Sequence, residues 1–108
     1  MTNVIEKHSI SFELAQKMVN EAVMKARELG VTENVAILDD GGNLKAFSRM
    51  DGATLPIIEM AQNKAYTALL GVSTQDLFNF IQAQGDPSFL DGIPRLARMA
   101  AWGGGFPI

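Results

Sequence analysis

The sequence predicts an α/β protein of the α+β kind, an antiparallel β-sheet flanked by helices, and three observations predict it. A stretch from Ser11 to Gly30 repeats apolar residues at helical spacing. A short apolar run at 34–38 and a stretch of alternating character at 44–49 flank a turn rich in Asp, Gly and Asn. Helical patterns then return between Pro56 and Ala83.

In the first helix Leu14, Ala15, Met18, Val19, Ala22, Val23, Ala26 and Leu29 share one side, with Ser11 as N-cap and Gly30 as stop. Lys17, Glu21 and Lys25 on the other side read as a solvated, charge-paired face. Asp39-Asp40-Gly41-Gly42-Asn43 carries the turn chemistry of a hairpin, which explains its carboxylates without catalysis. The second helix is expected from Pro56 to Leu70, with Thr54 near its cap and Gly71 past its end. Ser73-Thr-Gln-Asp76 resembles a capping box and opens a third helix, which Gly85-Asp86-Pro87 ends. Ser88 to Arg98 reads ambiguously: its apolar residues suit a loop packed on the core, Gly92 and Pro94 argue against a regular helix interior, and Arg98 to Trp102 is compatible with a strand.

The 108 residues suffice for one hydrophobic core and not for two, so residues 1–108 are expected to form a single domain. Apolar residues at 47% and charged residues at 19% are ordinary globular usage. The net charge of −3 is interspersed and no basic run could follow a phosphate backbone, which excludes nucleic acid as the expected partner. No apolar stretch reaches the ~20 residues of a bilayer span, and the N-terminus lacks the apolar segment of a secretory signal, so no membrane contact and a cytoplasmic location are expected. Without cysteine there are no disulfides, thiolate metal sites, iron–sulfur ligands or Cys nucleophile.

Three motifs resemble the GlcG/HbpS-like family, which includes a domain fused to some PduO-type corrinoid adenosyltransferases. They are Val35-Ala-Ile-Leu-Asp-Asp-Gly-Gly-Asn-Leu44, then Arg49-Met-Asp-Gly-Ala53 with Lys64-Ala-Tyr-Thr-Ala68, and Gly103-Gly-Gly-Phe-Pro-Ile108. Each alone is weak; in this order and spacing they are specific. The resemblance implies a profilin-like sandwich, a self-associating protomer of at least a dimer, and in several members a bound haem or related tetrapyrrole. In the family the Gly-Gly-Gly-x-Pro-Ile element is followed by a further β-hairpin and a last helix. Those elements are absent after Ile108, so either the sequence is part of a longer protein or a neighbouring chain covers the open edge.

Some family members offer a haem-ligating histidine near the N-terminus. His8 is the one histidine and the candidate for that role, although an exposed histidine is its plainer reading. Met18, in the apolar stripe, reads as core. The single histidine leaves no hydrolase triad and no H-E-x-x-H zinc spacing. The triple glycine, followed by Phe-Pro-Ile, reads as a tight turn or close crossing rather than a phosphate cradle.

Lys64 is the informative polar group, because a helical wheel puts it between Met60 and Ile57 inside the apolar arc. A buried lysine needs a partner, and Asp51, with Arg49 alongside, lies just before this helix. Arg49, Asp51 and Lys64 are therefore the candidate ligand-binding residues, and no catalytic or metal-ligating set is assigned. The expected function is small-molecule binding, with haem or another tetrapyrrole as the ligand that the resemblance implies. Two alternatives stand beside it: an accessory catabolic enzyme acting on a small acidic metabolite through Lys64, and a structural self-assembling subunit.

Overall fold

The structure is a computed structural model that describes residues 3–108. Helix α1 (Phe12–Leu29) starts where the Ser11 hydroxyl accepts the Leu14 N–H at 3.1 Å. It ends at Gly30, whose φ of 72° lets Val31 N–H reach back to the Ala26 carbonyl at 3.0 Å. Ala15, Val19 and Ala26 are buried, whereas Leu14 and Leu29, at the edges of the apolar stripe, stay exposed. On the outer face Lys17 pairs with Glu21 and Lys25 with Glu28, exposed ion pairs of little energetic weight.

Strands β1 (Asn34–Leu38) and β2 (Leu44–Arg49) form an antiparallel two-stranded sheet, with Asn34 opposite Arg49 and Ala36 opposite Phe47. The register slips between Ile37 and Leu38, which leaves Lys45 unmatched as a bulge. At the tip the Asp39 carboxylate accepts the N–H groups of Gly41 and Asn43, both at 2.9 Å. Only Gly42 of the two turn glycines has positive φ, 80°, and a Cβ there would lie 3.0 Å from the Tyr66 ring. Glycine at 42 therefore serves both the turn and the seating of the hairpin tip on the next helix. Helix α1 packs against both strands and α2 (Ile57–Thr67) against β1.

A 3₁₀ turn (Ala68–Leu70) carries α2 to Gly71. Helix α3 (Thr74–Gln84) begins at Ser73, whose hydroxyl accepts the Asp76 N–H as the capping motif requires. Two expectations are corrected beyond it. Residues 88–98 are no simple loop: Pro87–Gly92 form helix α4, followed by a 3₁₀ turn over Ile93–Arg95. Asp86 and Pro87 stop α3 and also start α4, since the Asp86 carboxylate accepts the Ser88 N–H at 2.9 Å and proline suits a first helical position. Residues 98–102 form no strand either. Arg98 has φ of 68°, and the Ala100 N–H goes to the Thr67 hydroxyl instead of a sheet.

The N-terminal arm rests on the hairpin tip through Lys7, whose ammonium lies 3.7 Å from the Asp40 carboxylate. The Ser9 hydroxyl, and after it Lys7, hold the Asp40 carboxyl below the usual carboxylate range. A carboxyl lowered on folding stabilises above its ordinary pKa, and the contribution vanishes as pH falls through the folded value. The contact of the arm with the hairpin tip, read from nuclear Overhauser effects between the Lys7 and Asp40 side chains, is therefore expected to weaken as pH drops below about 4.

Candidate functional site

Two buried threonines build the site by fixing the C-terminal segment on the helices. Thr67, 1% exposed, uses its hydroxyl three ways: it accepts the Ala100 N–H at 2.9 Å and faces the carbonyls of Asn63 at 2.8 Å and Arg98 at 3.1 Å. Thr74, fully buried, exchanges a pair of bonds with Gly105, its hydroxyl accepting the Gly105 N–H and its own N–H donating to the Gly105 carbonyl, both at 2.9 Å. A Cβ on Gly105 would collide with the Lys64 carbonyl and the Thr74 methyl. The triple glycine is thus a close crossing of the chain over α2 and the start of α3, as its composition predicts. Arg98 completes the attachment, its guanidinium 3.7 Å from the centre of the Tyr66 ring.

Held this way, residues 99–102 close one side of a cavity of about 510 Å³. Met60 of α2, Phe78 and Ile81 of α3, and Ile93 beyond α4 form much of the remaining apolar wall. Its volume and mainly apolar lining fall in the range of small-molecule sites, although it is a half-open cleft and not an enclosed chamber. Glu59, Asn63 and Gln82 are the polar side chains on its wall.

Lys64 is half-buried, like every residue from Met60 to Tyr66, and its expected partner is corrected. The ammonium lies 5.4 Å from the centre of the Trp102 ring, and its stem runs against Gly104. Among the described residues no ion pair includes Lys64 or Asp51. Arg49 and Asp51 lie instead on a separate groove of about 550 Å³ between β2 and α1, with Arg27, Met24 and Met50. The three candidate ligand residues therefore divide between two places. Asp51 is close to α2 in sequence, but the turn after β2 aims it at α1.

His8 is exposed in the N-terminal arm and lines neither cavity. The cavity residues that sequence patterning missed are Trp102, Met60 and Met99. A signal existed for the first: the chain's one tryptophan stands directly before the triple glycine.

The family model described as haem degrading protein HbpS-like matches residues 10–108. The chain belongs to the HbpS-like family. It is 31% identical over 101 residues to an uncharacterised 15.0 kDa protein from the dhaT-dhaS intergenic region of Citrobacter freundii, a match covering 93% of this chain and 70% of that protein. It is 30% identical over 105 residues to the corrinoid adenosyltransferase PduO of Citrobacter freundii, and spans 30% of that enzyme's length. Among solved structures, Klebsiella pneumoniae protein ORFY superposes with a TM-score of 0.86 at 28% identity, covering 100% of this chain and 74% of that one. The crystal structure of HbpS superposes at 0.84 with 27% identity, covering 98% and 72%. These likenesses establish the α+β fold of this HbpS-like chain. Among the described residues no helix is long and apolar enough to cross a membrane, and no group of three or more His, Cys, Asp or Glu is placed to hold a metal ion.

Proposed function

We propose that this HbpS-like chain is a small-molecule binding protein whose ligand occupies the cavity between α2, α3 and the segment before the triple glycine. The observation that carries this reading is the cavity itself, about 510 Å³ of mainly apolar wall with Trp102 on one side. The family description, a haem degrading protein, supports a tetrapyrrole as the ligand. The residues present fit the apolar body of such a macrocycle. They fit a firmly ligated iron less well, because the wall offers thioethers and no imidazole. The Met99 sulfur is 3.8 Å from the Thr67 hydroxyl, which leaves Met60 as the freer donor. Haem is accordingly expected to bind reversibly, its Soret band giving way to that of holomyoglobin when apomyoglobin is added as a tight acceptor. His8→Ala is expected to leave the Soret band of the haem-loaded chain unchanged; its loss would move the site to the N-terminal arm.

Self-association belongs to the same proposal. The radius of gyration, 15.6 Å, exceeds the ~13 Å of a compact chain of this length. Leu55, Leu70, Phe80 and Leu96 are among the large apolar side chains left exposed. Sedimentation at micromolar concentration is expected to show a dimer or larger species; a monomer alone would remove this part of the reading.

A further inference from the structure

We infer that the ligand of this cavity carries a carboxylate, and that Lys64 binds it beside Trp102. The inference rests on the binding function proposed above and names the chemical class of what binds. Lys64 sits four residues, about one helical turn, after Met60, at the margin of the helix face that lines the cavity and just outside the lining itself. Trp102 joins the two places: its ring lines the cavity and lies 5.4 Å from the Lys64 ammonium.

That contact positions the ammonium without accepting its hydrogen bonds, and Nζ still reaches solvent. An indole face attracts a cation, but it accepts none of the three N–H bonds an ammonium can donate. Among the described residues no ion pair or side-chain hydrogen bond includes the Lys64 ammonium. Its position is fixed from the other side by Gly104, where a Cβ would stand 3.2 Å from Nζ and 3.4 Å from Cδ. Gly104 also has φ of 119°, which a larger residue would adopt only under strain. A half-buried cation held between an indole and a glycine, just beyond the apolar wall that Trp102 shares, suits an oxyanion whose apolar body lies in the cleft. Glu59, the charged group on the cavity wall, is five residues before Lys64 and so about 140° away around α2. It therefore lies on a different side of α2 from Lys64.

Decanoate and 1-decanol present the same apolar chain with and without the carboxylate, and Trp102 is the one tryptophan of the chain, so its emission reports either probe. The unmodified protein is expected to bind decanoate at least about tenfold more tightly than decanol, the effect of one hydrogen-bonded charge. Lys64→Met is expected to remove that preference and leave decanol affinity unchanged. Lys64→Gln, which keeps a polar end, serves as the second variant, and thermal melts confirm that both fold. Equal affinity for the two probes in the unmodified protein, or a preference that survives both substitutions, would overturn the carboxylate assignment while decanol binding upheld the cavity. Failure of both probes to change Trp102 emission would overturn the binding function and this inference with it.

Discussion

Gly105→Ala is expected to lift the C-terminal segment off the helices. The added Cβ meets the Lys64 carbonyl and the Thr74 side chain, a backbone and a buried threonine, neither of which can swing away. Overpacking of this kind costs about 1–3 kcal/mol, and a contact against backbone belongs at the upper end. The strain is relieved by undocking residues 98–108, so the cost is limited to what docking contributes. Trp102 emission should shift to the red and binding in the cavity should fail, while helical circular dichroism largely persists. Gly103→Ala is the control: its Cβ meets the Gln75 side-chain oxygen, the far end of a flexible chain, and should be tolerated.

Thr67→Val is expected to be the most damaging conservative substitution in α2. Valine keeps the shape and removes the hydroxyl, which strands the Ala100 N–H that now donates to it at 2.9 Å. An unsatisfied polar group in such a setting costs about 1–3 kcal/mol. Chemical denaturation should show that loss, whereas Ser73→Ala, which removes an exposed helix cap, should cost about 1 kcal/mol. If Thr67→Val proved neutral, the path of residues 98–102 over α2 would be wrong.

These two residues also show where sequence reading stops. Local signals were legible because the forces are local: Ser11 and Ser73 cap their helices, and Asp39 organises the hairpin turn. The partial burial of Lys64 was legible from helical period. Its neighbour was not, because Trp102 reaches it only after the chain has passed through α3 and α4 and been fastened at Thr67 and Thr74. Asp51 was misassigned for the same reason, proximity in sequence standing in for proximity in space. Asp86-Pro87 misled differently: the dipeptide both ends one helix and starts another, and only the Ser88 bond to Asp86 decides that a helix follows. Arg98 to Trp102 reads as a strand by composition, but Thr67 supplies the Ala100 N–H with its partner outside a sheet.

The methionines give the most direct test of the cavity as the binding site. Met60 and Met99 line it, Met24 and Met50 line the groove of Arg49 and Asp51, and the methyl carbons can be labelled together. Titration with metal-free protoporphyrin, followed by methyl resonances, is predicted to shift Met60 and Met99 and to leave Met24 and Met50 in place. Shifts at Met24 and Met50 alone, or at none of the four, would contradict the account.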